Sequence, residues 1–351
     1  MGGGGAFRFA EHTLQNRFRL SRFAFHRAKG VQTFQDNPPP IKRNHVMNEV
    51  TRRGFMTGTL AAGIGGGLVG ALPSTAFAAD AAAAPGAGAG MKLGMVTYRM
   101  GEKMSVDELI DLCKQAGLAG VELRTTHAHK VEPALSKQER ADVKKKFADS
   151  GIVIAGLGTT CEFHAKDDAV VRKQIETAKE FAQLAVDVGC SGIKVRPNGS
   201  HKDEDFAKTI ERIGKAWGEV AKFAGELGVE VRMEVHGNED SRKPASIRKM
   251  LDVANHPNAK ACWNCNGGEE DAVGSIKANF DLLKGSIGEV HINDIGIPKY
   301  PWQELFTLLK ESNYQGFCLA EIDYNEQPVR FMQYYRMLFD LYTGRYKYPN
   351  G

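Results

Sequence analysis

Residues 192–237, GIKVRPNGSHKDEDFAKTIERIGKAWGEVAKFAGELGVEVRMEVHG, read as a short apolar run, a long amphipathic stretch closed by glycine, and a second apolar run. Gly192–Val195 and Val229–Val235 are strand-like. Between them Asp205–Leu227 carries apolar residues at i, i+3, i+4 spacing, the period of a helix with one buried face. The same unit recurs on both sides. Further apolar runs are Leu93–Thr97, Gly120–Leu123, Val153–Leu157, Lys260–Trp263, Glu289–Ile292 and Gly316–Ile322. Helical spacing recurs over Val106–Gln115, Ala141–Asp149, Val170–Val188, Pro301–Lys310 and Pro328–Tyr342. Gly117, Gly151, Gly189 and Gly228 each precede a strand, where a helix closes in the left-handed conformation. Eight strand–helix units in about 260 residues predict a single (β/α)8 barrel, an α/β fold. An open doubly wound sheet is the competing topology, but no G-x-G-x-x-G follows the first strand.

Before that repeat the chain has another character. Thr51-Arg52-Arg53-Gly54-Phe55-Met56 precedes a weakly apolar stretch, Thr57–Leu72, and the small-x-small site Ala76-Phe77-Ala78. Charged region, apolar region and cleavage site in this order resemble the twin-arginine (Tat) export signal of bacteria. The resemblance implies a periplasmic or extracellular protein that crosses the membrane already folded. The apolar stretch is too short and glycine-rich for a stable membrane span. The expected organisation is 1–46 as a disordered upstream extension with translation starting at Met47, 47–78 as the signal, 79–90 as an Ala/Gly/Pro linker, and 91–351 as the barrel.

The 351 residues are 42% hydrophobic, 25% charged and 9% aromatic, ordinary for a globular enzyme. The formal charge of +4 arises from the N-terminal extension, where 1–46 carries eight bases and two acids. The body is close to neutral, which argues against a nucleic-acid partner. Six cysteines are scattered apart from Cys262 and Cys265. A lone C-x-x-C is a weak metal or redox signal, and buried thiols are the expected reading.

Active sites of (β/α)8 barrels lie where the strands end. Strands five to eight end in Glu234, Asn264, His291 and Glu321. Three oxygen ligands and one imidazole at successive strand ends suit one divalent ion, Mn, Mg, Co or Zn. A hydrogen-bonded polar cluster without metal is the alternative. His236 lies two residues after Glu234 and so faces the same side, toward a substrate oxygen or in a supporting role. Lys194 and Arg196 suit a phosphate, hydroxyl groups or an internal acid. Glu122 suits substrate or a buried ion pair.

E-V-H-G after strand five, W-N-C-N after strand six, E-V-H-I-N-D at strand seven and A-E-I-D at strand eight resemble the xylose isomerase-like TIM-barrel superfamily of sugar and sugar-phosphate isomerases and epimerases. The resemblance covers most of Lys92–Tyr342. It implies a metal held by Glu234, His291 and Glu321, with Glu234 and Glu321 also moving the proton. Asn264 departs from the superfamily, which has Asp there; an amide ligates more weakly and leaves the site about charge-balanced. Asn266 stands where relatives often carry His, which puts that substrate contact in question.

The expected activity is proton abstraction beside a sugar carbonyl through an enediolate, giving epimerisation or aldose–ketose isomerisation. A small carbohydrate is the expected partner, and barrels of this kind often pair as homo-oligomers. The same site would also serve an exported lyase or hydrolase of 3-keto-glycosides. If Asn264 marks a lost metal, a carbohydrate-binding barrel without catalysis remains. An endonuclease of the apurinic-site type needs about three metals and a larger His/Asp/Glu set, which the sequence does not supply.

Overall fold

The computed structural model describes residues 90–347, residue 239 excepted. The expected extension, export signal and nearly all of the linker lie outside the described residues. Strands β1 (Lys92–Val96), β2 (Gly120–Arg124), β3 (Val153–Glu162), β4 (Gly192–Arg196), β5 (Glu230–Glu234), β6 (Ala259–Asn264), β7 (Ile287–Ile292) and β8 (Phe317–Ala320) pair in parallel in chain order. β1 also pairs with β8, through Leu93 opposite Cys318 and Met95 opposite Ala320, so the sheet closes into a barrel. The helices are α1 (Val106–Ala116), α2 (Lys137–Ser150), α3 (Asp168–Val188), α4 (Phe206–Glu226), α5 (Pro244–Ala254), α6 (Lys277–Leu283), α7 (Trp302–Glu311) and α8 (Pro328–Tyr342). The fold is the expected (β/α)8 barrel. No helix among the described residues is long and apolar enough to cross a membrane.

Local sequence explains where the helices start and stop. Ser105 and Ser136 each accept a hydrogen bond from the backbone three residues on, while Glu108 and Glu139 reach back to the serine. These capping boxes satisfy amide groups that the first helical turn leaves open, worth about 1 kcal/mol each. The second box starts α2 at Lys137, four residues before the first apolar residue of the expected helix. Gly117 and Gly189 close α1 and α3 at φ 69° and 80°, values that cost a larger residue strain.

Two regions differ from the sequence reading. β3 extends to Glu162 because Glu162 pairs with Arg196 of β4 after a register shift. Its end therefore projects polar residues over the barrel mouth. α5 and α6 are the helices of the fifth and sixth units, for which the sequence reading gives no bounds. α6 is short, has no side-chain cap, and follows the glycine-rich segment 265–276.

The main apolar core lies between barrel and helices and includes Trp217, Phe280, Phe306 and Phe339. A small apolar cluster joins Val96, Ala155 and Leu319, with Tyr98 and Phe317 packed against it. Elsewhere the strands bury charge. Glu122, Lys194, Arg232, Glu234, Glu289 and His291 are all at most 5% exposed. Glycine makes the room: a Cβ at Gly158 would overlap Glu122 Oε1, and one at Gly192 would overlap the Arg232 guanidinium.

Candidate active site

β5 and β6 end on Glu234 and Asn264, His291 is the penultimate residue of β7, and Glu321 follows β8 directly. Adjacent strands of a closed barrel bring these ends together. His291 Nδ1 lies 3.5 Å from Glu234 Oε1 and 3.8 Å from Glu321 Oε2. Ligand atoms of Glu234, His291 and Glu321 all fall within 4.8 Å of one another. Asn264 Nδ2 donates to Glu234 Oε1 at 2.8 Å.

Glu122 and Lys194, open in the sequence to either substrate contact or a buried ion pair, each take the internal pairing. Glu122 is fully buried, and its Oε2 accepts from His291 Nε2 at 2.8 Å. A carboxylate only accepts, so Nε2 carries the proton and the ring is fixed with Nδ1 toward Glu234 and Glu321. Lys194 donates from Nζ to Glu234 Oε2 at 2.6 Å and is equally buried. Both oxygens of Glu234 are thus engaged, one by the ammonium and one by the amide.

Arg196 and His236 belong to a second polar group, joined through Glu162 and Asn198. Arg196 pairs with Glu162 Oε1 at 2.7 Å. Asn198 donates to the same oxygen, and its own Oδ1 meets His236 Nδ1. Asn266 Oδ1 accepts from Asn293 Nδ2 at 3.4 Å and borders an open cavity together with Glu321. Glu162, Asn198 and Asn293 were not among the sequence-chosen site residues. The length of β3 carries Glu162 here, and that length follows from pairing with β4 rather than from an apolar run. Below the first group, Arg232 donates to Glu289 at 2.8 Å, and Cys262 stands with Glu289 and His291. All six cysteines are free and buried.

The electrostatics separate the two glutamates. Burial alone would raise the pKa of Glu234, but the Lys194 ammonium and His291 outweigh it and hold the carboxyl well below its usual range. Glu321 is pushed up, by burial first and by the negative charge of Glu234, against the pull of His291. Burial opposes charge on His291, yet Cys262 and Glu122 hold its pKa well above the imidazole value. Burial pushes His236 down. Two carboxyl groups with pKa values driven apart suit a proton-transfer pair.

Unsatisfied atoms in the donor set bear on whether it suits a divalent ion. His291 Nδ1 and Asn264 Oδ1 are buried without a hydrogen-bond partner among the described residues. Buried polar atoms seldom remain unpaired, and these two accompany the carboxylates of Glu234 and Glu321. The charges of Lys194 and Glu122 cancel, so two glutamates and a neutral amide would balance a divalent ion, with His291 ligating once it gives up the Nδ1 proton that its raised pKa favours. The residues fit one.

A family model described as xylose isomerase-like TIM barrel matches residues 110–333. No curated protein matches. Among solved structures, the chain resembles D-psicose 3-epimerase of Clostridium cellulolyticum H10 with D-tagatose, at 16% identity and TM-score 0.62 over 72% of this chain and 99% of that one. It also resembles 3-keto-D-glucoside 4-epimerase of E. coli, at 15% identity and TM-score 0.60 over 71% of this chain and 99% of that one. A third is the IOLI protein with a bound zinc atom, at 16% identity and TM-score 0.61 over 73% of this chain and 99% of that one. At these identities the likeness is one of fold.

Proposed function

The chain belongs to the xylose isomerase-like TIM barrel family, and from that premise we propose that it is a sugar isomerase or epimerase that moves a proton beside a carbonyl with the help of one divalent ion. The observation that carries this reading is the convergence of Glu234, His291 and Glu321 within 4.8 Å, with the glutamate pKa values driven in opposite directions. The epimerases with this fold support the substrate class, and the zinc-bound relative supports the ion.

Glu234, Asn264, His291 and Glu321 would hold the ion, which when bound supplies a Lewis acid for the sugar carbonyl oxygen. Glu122 keeps the His291 ring in position. Glu234, held ionised by Lys194 and facing the same His291 nitrogen as Glu321, is the residue to take the proton from the carbon next to the carbonyl. Glu321, whose pKa is raised, borders the open cavity at the mouth and is the residue to return a proton. Return on the opposite face gives the epimer, and return to the neighbouring carbon gives the aldose–ketose isomer. His236, Asn266 and Arg196 at the mouth would contact sugar hydroxyls. Export by the twin-arginine route is part of the proposal and places the reaction outside the cytoplasm.

Lys194 on Glu234 favours a second reading, in which the ammonium replaces the ion and the barrel binds carbohydrate without metal. One experiment separates the two. Metal content is measured on the purified barrel and on Glu321→Gln, beside solvent-deuterium incorporation into ketohexoses. The expected result is about one ion per chain, weakened in the variant, with exchange lost. Absence of metal after incubation with excess Mn, Mg, Co or Zn, together with no exchange, overturns the proposal.

A further inference from the structure

Cys262 lies opposite Glu289 in the pairing of β6 with β7. His291 stands two residues beyond Glu289 and so shares its face of the sheet. The strands thus bring a thiol, a carboxyl group and an imidazole together, and their ligand atoms all lie within 4.8 Å of one another. All three side chains are fully buried. The group sits one layer below the proposed set at the strand ends, because Cys262 and Glu289 precede Asn264 and His291 by two residues each.

Unsatisfied atoms set this group apart from an ordinary polar contact. Glu289 gives Oε2 to Arg232, while its Oε1 is buried without a hydrogen-bond partner among the described residues. His291 Nδ1 likewise has none. A buried polar atom left open costs stability unless something fills the place. Arg232 does not fill it, since its remaining donors go to Glu230, Ser191 and the Ala155 carbonyl. The guanidinium fixes Glu289 and leaves one oxygen turned to other use.

The donor types decide what fits there. Glu234, Asn264 and Glu321 offer oxygen, which suits hard ions. Sulfur, imidazole and carboxylate together suit zinc or cadmium, with three protein ligands and a fourth position open. Arg232 keeps Glu230 as a counter-ion of its own. The Cys262 thiolate and Glu289 are then left to cancel the two charges of the ion.

We propose that Cys262, Glu289 and His291 form a second metal position, for a thiophilic divalent ion such as zinc or cadmium, and that it competes for His291 with the ion at the strand ends. His291 gives Nε2 to Glu122, so one ring nitrogen remains and serves one ion at a time. Binding breaks the Cys262 S–H bond and forms a sulfur–metal bond, and the proton leaves to solvent. An ion in the lower position withdraws His291 from the upper set and stops the proton transfer there. The lower position stands on its own geometry; only the competition rests on the proton-transfer reading.

The test uses the full chain, freed of metal by a chelator, with cadmium chloride as the probe. Cadmium is added to the folded protein and, separately, during refolding from urea. A cadmium–thiolate bond gives an ultraviolet charge-transfer band that oxygen and nitrogen ligands do not give. The band is expected to saturate at about one cadmium per chain. It should vanish in Cys262→Ser and remain in Cys265→Ser, whose thiol lies outside the group. Glu289→Gln keeps the thiol and should need more cadmium to reach the same band. Absence of a band in the wild-type chain by both routes overturns the inference, as does a band that survives Cys262→Ser. A band lost in both serine variants overturns it too, because the ion then sits on the C-x-x-C pair. Solvent-deuterium exchange into ketohexoses, with manganese present, is scored separately. Cadmium should stop it at lower concentration in the wild-type chain than in Cys262→Ser, and equal inhibition overturns the competition. A band without exchange in any sample overturns the proton-transfer reading and leaves the lower position standing. Exchange without a band does the reverse.

Discussion

Glu122 and His291 are 169 residues apart in the chain, yet their hydrogen bond decides which imidazole nitrogen is free. Asn in place of the expected Asp removes one charge at Asn264, and Lys194 takes one oxygen of Glu234. In the proposed site the affinity for an ion would therefore depend on a well-aimed His291 Nδ1. Glu122→Gln replaces an obligate acceptor with an amide and releases the ring. Metal affinity is expected to fall by about 10–100-fold, the usual effect of losing the group that orients a ligating histidine. Competition against a chromogenic chelator measures it. An unchanged affinity would mean that His291 does not ligate. The sequence made the residue types at strands five to eight legible, because strand ends are set by local period and those types are read directly from the chain. It did not reveal the role of Glu122 or Lys194, since a buried acid or base reads alike whether it faces substrate or a neighbour.

The segment between β6 and α6 carries the least conventional element chemistry. Glu269 is buried, and neither carboxyl oxygen has a hydrogen-bond partner among the described residues. Burial, with Glu270 adding to it, pushes its pKa from 4.5 up to about 8. Below pH 4.5 folded and unfolded chains both carry the proton. Between 4.5 and about 8 the unfolded chain releases it while the folded chain retains it, so rising pH favours unfolding. Above about 8 the cost stays constant. Glu269→Gln removes this dependence. Urea unfolding of both proteins at pH 5 and pH 9 is expected to show the variant gaining stability relative to wild type at the higher pH. A constant difference between the two proteins would refute the assignment. A glycine-rich segment with no apolar period carries no sign of a buried acid, so the sequence was silent here. α1 and α2 contrast with it: their serine caps and glutamates three residues on are local signals that can be read without the fold.

Across the whole molecule, charge is concentrated inside the barrel. Arg232 bonds Glu289, Glu230 and the Ala155 carbonyl, and Gly192 leaves the space for its guanidinium. Breaking such a pair leaves a charge buried without a partner, which costs about 3–5 kcal/mol. Arg232→Met is therefore expected to lower the urea-unfolding free energy by that amount. The cost should be smaller in the double variant with Glu289→Leu, where no charge is stranded. Equal losses in the single and double variants would show that packing, not charge, sets the cost.

The alternation of apolar run and amphipathic helix determined the barrel, because each unit must bury one face and eight such units close a sheet. The same periodicity located the strand ends, and with them Glu234, Asn264, His291 and Glu321. Only the tertiary structure decided that Lys194 holds Glu234, that Glu122 aims His291, that Arg196 answers Glu162, and that Cys262 and Glu289 meet at His291. These pairings join residues on different strands and loops. They are set by barrel closure, strand register and the space left by Gly158 and Gly192, which no local period in the chain encodes.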